Sequence, residues 1–279
     1  MKIGIFSDLR SEASRKTEPQ VISRLVAERI DMVRLTGFEG PTAEAILNAM
    51  TDDDMIISLG GDGTFLRASS LIANRQIPLL GINCGRLGFM ADVEITEFDA
   101  ILADILSRRY NIEQRSVLQL TTSDNQNETY YALNEIAVLK QDLSSMISIT
   151  ATINGEILNT YNADGLLLST PTGSTAYNLS VGGPLMSPQA QCFVIAPIAS
   201  HSLTARPIVI PDNWETQLTI KSRSSSYMLS VDGNASTRSC DTTLTIRKAA
   251  FARAVVRLRN HTFFSTLKAK MFWGADKRE

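Results

Sequence analysis

The sequence is poor in the residues that build stapled or metal-bound sites. It has two histidines, His201 and His261, and three cysteines, Cys84, Cys192 and Cys240. No Cys/His spacing resembles a zinc site. The cysteines are odd in number and far apart in sequence. That excludes a disulfide framework and fits a reducing compartment, so a cytoplasmic setting is expected, with each cysteine acting as a small buried hydrophobe. An excess of one charge is also missing: the net charge is −2 and charged residues make up 20% of the chain. Nothing in bulk electrostatics therefore draws the chain to nucleic acid or to a membrane surface. No apolar run is long enough to span a bilayer, and Met1 to Asp8 reads as a first strand rather than as a signal peptide. Low-complexity segments, long linkers and internal repeats are absent too.

What is present is a core. Apolar residues make up 44% of 279 positions, enough for one large or two ordinary domains. The stretch from Asp53 to Leu66 organises the first half. Met55 to Leu59 is short enough for a buried strand. Gly60, Gly61 and Gly63 follow, where the backbone can adopt angles and approaches that side chains forbid. Phe65, Leu66, Ser69, Leu71 and Ile72 then recur at helical spacing. Strand, glycine loop and helix together aim free amides at a phosphate. Asp62 is the odd residue, because an anion-binding loop repels a carboxylate. It fits as a base for a substrate hydroxyl or as a holder of a divalent cation; the alternative is a tight turn in which Asp62 caps the next helix. The loop has neither the lysine of G-x-x-x-x-G-K-[ST] nor the pattern G-x-G-x-x-G, so it is neither a P-loop nor that dinucleotide fingerprint.

Around this stretch, strands alternate with helices: a strand at Lys2 to Phe6, a helix from Glu18 to Ile30, a short strand at Asp31 to Leu35, a helix opened by Pro41, a strand at Ile77 to Ile82 and a helix at Glu97 to Leu106. That alternation predicts a parallel α/β sheet whose ligands bind beyond the carboxyl ends of its strands. Near Tyr110 the pattern changes to short strands, at 117–123, 129–139, 146–153, 156–161, 165–169, 193–196, 207–210, 215–222, 227–231, 242–247 and 253–258. Asn154-Gly155 marks a hairpin. Domains of 1–109 and 110–279 are expected, the first α/β and the second mostly β, with the C-terminal tail packing back on the first.

A second constellation, Asp164 to Ser180, interrupts the β half. Leu166 to Leu168 is a buried strand, and Thr172 or Ser174 can cap a following helix that carries Tyr177 and Ser180 on one face. This is a cradle for a nucleoside and its phosphate, or an ordinary capped helix. Asn134-Glu135 sits within an apolar run. An Asn amide can pair with an adenine edge and a carboxylate can take ribose hydroxyls; the alternative is an edge strand with both residues in solvent.

Together and in this order these pieces resemble the bacterial NAD kinases. The matching segments are Leu59 to Thr64, Gly81 to Phe89, Leu133 to Glu135, Asp164 to Pro184, His201 to Pro207, Val231 to Gly233, and the tail from Phe263 to Trp273. The glycine–Asp loop alone is shared with phosphofructokinases and lipid kinases; the Asp164 to Pro184 stretch is far more specific. The resemblance implies a two-domain NAD kinase fold, an N-terminal Rossmann-like domain and a β-rich C-terminal domain, with NAD held between them. It implies transfer of the terminal phosphoryl group of ATP or polyphosphate to the 2′-hydroxyl of the adenosine ribose of NAD, giving NADP. Asp62 would be the base. Gly60, Gly61, Gly63 and Thr64 would form the phosphate-donor loop. Asp62, Gly63, Phe89, Asn134, Glu135, Asn162, Asp164, Thr175, Ala176, Tyr177, Ser180 and Asn234 would contact the dinucleotide. Mg²⁺ or another divalent cation would be carried mainly by the nucleotide, with no protein-only metal cage. A homodimer or homotetramer is expected, with no nucleic-acid or membrane partner. A lipid or sugar kinase sharing the loop, and a non-catalytic dinucleotide sensor, are the competing readings. His201 reads as a structural contact, and Arg86 as a phosphate ligand or a brace for its loop.

Overall fold

In a computed structural model of the chain, residues 1–37, 41–85, 88–124, 129–142, 146–259 and 261–274 are described. They form two units, one of Met1–Gln114 with Arg253–Glu279 and one of Arg115–Ala252. The boundary expected at 109/110 thus falls five residues later, and the tail from Arg253 onward belongs to the first unit.

The first unit is built on the apolar runs seen in the sequence. Its elements in chain order are β1 (Lys2–Ser7), α1 (Glu12–Ala27), β2 (Asp31–Arg34), α2 (Pro41–Asn48), β3 (Met55–Leu59), α3 (Asp62–Ile72), β4 (Leu79–Asn83), β5 (Val93–Glu94), α4 (Phe98–Leu106) and β6 (Tyr110–Arg115). β1 pairs in parallel with both β2 and β3, and β3 in parallel with β4. Every residue of β3 and β4 is buried, as expected of central strands covered on both faces. Ile3, Ile5, Ile57, Leu80 and Ile82 pack with Val21 and Leu25 of α1 and with Phe98, Ile101 and Ile105 of α4. α1 begins six residues before the expected Glu18. Ser11 caps it by accepting the Ser14 N–H, and Pro19 lies inside it.

The second unit contains β7 (Leu118–Thr122), β8 (Thr129–Ala132), β9 (Glu135–Leu139), β10 (Ile147–Ile153), β11 (Glu156–Ala163), β12 (Gly165–Ser169), the single-turn α5 (Tyr177–Ser180), β13 (Cys192–Ile198), β14 (Ile208–Pro211), β15 (Thr216–Lys221), β16 (Ser226–Val231), β17 (Asn234–Ser239) and β18 (Leu244–Lys248). They make two six-stranded sheets, ordered β11-β10-β15-β18-β7-β8 and β14-β13-β12-β9-β16-β17. One core lies between them, with Leu120, Ile149, Leu218 and Ile246 from the first sheet against Ile136, Leu166, Ile195 and Leu229 from the second. The far side of the second sheet is covered around Met186, which packs with Leu167, Val194 and Ala196; this is why β12 is buried on both faces. The hairpin at Asn154-Gly155 forms with φ of 46° and 86°, both in the left-handed region its turn requires.

Three expectations are corrected. The run 129–139 is two strands, and β8 and β9 belong to different sheets, so Asn134 sits at a chain crossover rather than within a strand. The strand at 253–258, which is β19 (Arg253–Leu258), joins the first unit's sheet in parallel with β4, giving the order β2-β1-β3-β4-β19-β6 with β5 beside β4. The final helix α6 (Phe263–Met271) follows it. The three cysteines are unbonded and half-buried rather than fully enclosed. Among the described residues no helix is long and apolar enough to cross a membrane.

Candidate functional site

In the first unit the candidate site starts where β3 ends. Gly60 has φ of 154°, and a Cβ there would collide with the Thr64 side chain, so this position requires glycine. Gly61 and Gly63 differ: beyond its immediate neighbours and its own helix, a Cβ at either would meet no atom of the described residues within 4 Å. Their glycines leave open space at the start of α3, where helix amides are without intrahelical partners. Asp62 does not cap its own helix; Gly61 is the N-cap and no side chain caps it. The Asp62 carboxylate instead reaches across to the turn after β4. Its Oδ2 accepts the Phe89 N–H at 2.9 Å, and its Oδ1 accepts the Met90 and Ala91 N–H groups, each at 3.0 Å. Gly88 permits this approach, because a Cβ at that position would strike the carboxylate. Lys270 of α6 stands 3.8 Å from Oδ2 and 4.7 Å over the Phe89 ring.

The turn that holds Asp62 is itself held. Asp92 pairs with Arg257 of β19, and both side chains are buried. Asp92 Oδ2 also accepts the Thr266 hydroxyl of α6 at 3.2 Å. Farther back, Arg253 is 2% exposed and donates to Ser69 Oγ at 3.0 Å, to the Arg75 carbonyl at 2.9 Å and to the Ser69 and Ala73 carbonyls. It satisfies the carbonyl end of α3, the helix whose other end carries Asp62. Burial pushes its guanidinium down to about 10. None of Lys270, Asp92, Arg257 or Arg253 stood out in the sequence, because nothing local marks a residue that acts across 165 or more positions. Arg86 lies outside the described residues.

In the second unit the crossover between β8 and β9 gathers a second cluster. Asp232 has φ of 47°, opening the turn between β16 and β17. Its carboxylate accepts three successive amides, Leu133 N–H at 2.7 Å, Asn134 N–H at 2.8 Å and Glu135 N–H at 3.1 Å. Asp232 was missed as a functional residue, although the Val231-Asp232-Gly233 motif contains it. Asn134 is 5% exposed, so neither it nor Glu135 is a solvent-facing edge residue. Asn134 Oδ1, Glu135 Oε2 and Thr172 Oγ1 are buried without a hydrogen-bond partner among the described residues. Burial, and then the charge of Asp232, push the Glu135 carboxyl up to about 7. Burial raises Asp232 to about 6 against its three amide donors. Buried acceptors left without donors mark a place that a hydroxyl- or amine-bearing ligand can complete.

Thr170 N–H donates to the Asn134 carbonyl at 2.9 Å, and a Cβ at Gly173 would strike that same carbonyl. The segment after β12 therefore lies directly against Asn134. It is not a capped helix. Thr172–Thr175 is a 3₁₀ turn and α5 a single turn, neither with a side-chain cap. Ser174 is instead bound to the Met186 backbone, accepting its N–H at 3.1 Å. Thr175 and Ala176 are half-buried, and Tyr177 and Ser180 are exposed. Asn234 begins β17, one turn beyond Asp232, whose own N–H donates to the Glu135 carbonyl at 3.0 Å. Asn162 and Asp164 stand apart from this group. They flank the opposite end of β12, roughly 20 Å along the strand from Thr170. There Asp164 pairs with Lys140 at 2.7 Å, and the His201 N–H donates to the Asn162 carbonyl at 3.0 Å.

The chain thus joins a parallel sheet ending in a glycine–aspartate turn to a β unit with a buried carboxylate oxygen that has no partner among the described residues, an arrangement suited to a polar, hydroxyl-bearing ligand. Comparison with known proteins identifies the class. Residues 7–110 match the model of the ATP-NAD kinase N-terminal domain and residues 133–258 that of the ATP-NAD kinase C-terminal domain. The chain is 53% identical to a NAD kinase of Bacteroides fragilis, over 81% of this chain and 79% of that one. It is 43% identical to a NAD kinase of Flavobacterium johnsoniae over 100% of both. Among solved structures it resembles an Archaeoglobus fulgidus NAD kinase in complex with ATP (26% identity, TM-score 0.78, 98% of this chain and 99% of that one). A yeast NADH kinase complexed with NADH shares the fold (23% identity, TM-score 0.89, 100% and 89%). The chain belongs to the NAD kinase family.

Proposed function

We propose that this chain transfers the terminal phosphoryl group of ATP or polyphosphate to the 2′-hydroxyl of the adenosine ribose of NAD, giving NADP, with Asp62 as the base. The observation that carries this is the hydrogen bonding of Asp62. A carboxylate has about four acceptor positions. Three are filled by backbone amides, two at Oδ1 and one at Oδ2, so the open one is at Oδ2. There it takes the hydroxyl proton as the ribose oxygen attacks the terminal phosphorus and the bond to the bridging oxygen breaks. The amides fix the group's position, and positioning is most of what phosphoryl transfer needs from a protein. Lys270 offsets the charge of Asp62 as the anionic donor approaches.

On this reading Asn134 faces the adenine and Glu135 accepts ribose hydroxyls, which fill the acceptors that are otherwise unpartnered. Gly63, Phe89, Thr175, Ala176, Tyr177, Ser180 and Asn234 complete the dinucleotide contacts, and Asn162 and Asp164 serve them from the far end of β12. Gly60, Gly61, Gly63 and Thr64 meet the donor phosphates. A divalent cation, Mg²⁺ in the first instance, would ride mainly on the donor and supply charge neutralisation. The enzyme works in the cytoplasm as a homodimer or homotetramer.

The test is an assay coupled to NADP formation, run with ATP and with polyphosphate, each with and without Mg²⁺. Asp62→Asn is expected to retain NAD binding and to lose at least about a hundredfold in turnover. Equal turnover by the variant removes Asp62 from the mechanism. Incorporation of labelled phosphate into lipid alone would favour a lipid kinase.

A further inference from the structure

α6 meets the turn after β4 through two residues one helical turn apart. Thr266 is buried, and its hydroxyl donates to Asp92 Oδ2 at 3.2 Å, which sets the helix against that turn. Lys270, four residues on, falls on the same face. Its ammonium stands 3.8 Å from Asp62 Oδ2 and 4.7 Å over the Phe89 ring, so a carboxylate and an aromatic face hold it in one place. At 3.8 Å the contact with Oδ2 is an ion pair and not a hydrogen bond. Among the described residues Oδ2 accepts only the Phe89 N–H, so its remaining acceptor position is open beside the ammonium. The Lys270 side chain is partly exposed and its stem is flexible, so the charge can shift without moving α6.

We infer that Lys270 is a specificity-determining residue: its ammonium binds the phosphate once that group is on the ribose, and so holds NADP but gains nothing from NAD. The inference rests on the kinase reading above, because it needs Asp62 to face the 2′-oxygen. A hydroxyl donating to Oδ2 lies about 2.7 Å from it. In the transfer this oxygen bonds to the terminal phosphorus. The bond from that phosphorus to the bridging oxygen breaks, its electron pair leaving with the donor, and the hydroxyl proton passes to Oδ2. The phosphorus is then one covalent bond beyond the 2′-oxygen and its free oxygens two bonds beyond. That brings them within reach of an ammonium already paired with the same Oδ2. The charges move in step. Asp62 is neutral while it keeps the proton, so Lys270 loses its partner just as a group of about −1.5 to −2 charge arrives. Once Asp62 gives the proton to water, the ammonium offsets the repulsion between carboxylate and phosphate. NAD carries only a hydroxyl at that place and offers the ammonium no comparable charge.

The test is equilibrium binding of NAD and of NADP, each without donor, to the native chain, Lys270→Met and Lys270→Arg, followed by titration calorimetry. Lys270→Met is expected to weaken NADP about tenfold, the loss of one charge-assisted contact at a partly exposed site, and to change NAD by less than about twofold. Lys270→Arg should keep most of the NADP affinity, since it keeps the charge. As a product inhibitor in steady-state assays, NADP should lose potency in Lys270→Met by the same factor. Methionine keeps an unbranched apolar stem, and retained NAD binding reports that the variant is folded. Unchanged NADP binding in Lys270→Met overturns the proposal. So does an equal loss for NAD and NADP, because Lys270 would then brace Asp62 and its turn without reading the phosphate. The binding contrast needs no turnover, so it is decided separately from the Asp62→Asn test of the kinase reading.

Discussion

Glu135 carries an acceptor oxygen that is enclosed and has no hydrogen-bond partner among the described residues. Its carboxyl titrates at about 7 in the folded chain against an ordinary 4.5. A raised carboxyl means that the folded state holds the proton more tightly than the unfolded one. Its contribution is therefore harmless below about pH 4.5 and becomes a growing cost as pH rises through 7. Asp232, raised to about 6 from 3.8, acts in the same direction. Glu135→Gln should accordingly melt higher than the native chain at pH 8 and alike at pH 4.5, as scanning calorimetry would register. Ligand hydroxyls act oppositely, because they donate to the ionised carboxylate. NAD affinity measured by titration calorimetry is expected to rise from pH 6 to pH 8 and to flatten in Glu135→Gln. Residue types at the site were readable in the sequence: Asp62 announced itself as a carboxylate in an anion loop. Asp232 did not, since an Asp before Gly in a turn is ordinary. Its three amide partners, 97 to 99 positions away, are what make it matter.

At the scale of elements, apolar runs such as Met55–Leu59 read correctly because they are short, uninterrupted and followed by glycine. Elements whose identity depends on neighbours did not. Asn234–Ser239 is almost wholly exposed and polar, with no periodicity to betray a strand, and it exists because β16 offers it an edge. The start of α1 was hidden by a run of charged and hydroxyl residues and by Pro19, which the surrounding helix tolerates. On the proposed mechanism the turn after β4 matters most, since its three amides hold Asp62. Gly88→Ala would push the carboxylate off those amides. If Asp62 is the base proposed above, displacing it by about an ångström costs up to roughly a hundredfold, so kcat is expected to fall at least about tenfold in steady-state assays.

For the whole molecule, sequence patterns told α/β from β but not which sheet a strand would join. Arg253–Leu258 has the same apolar character whether it extends the second unit or inserts beside β4. What assigns it is Arg253, buried against the carbonyl end of α3, and Arg257, buried against Asp92. Arg253→Met should leave several of those carbonyls unsatisfied, costing about 2–4 kcal/mol in urea unfolding. The location of β19 also orders events during synthesis. Residues 115–252 are contiguous and can form their core while still tethered to the ribosome. The sheet that holds β1 to β4 must wait with a gap beside β4 until Arg253–Leu258 has been made. The unit begun before residues 115–252 is thus completed after them, and a nascent chain stalled before Arg253 carries an unfinished sheet that chaperones would shield.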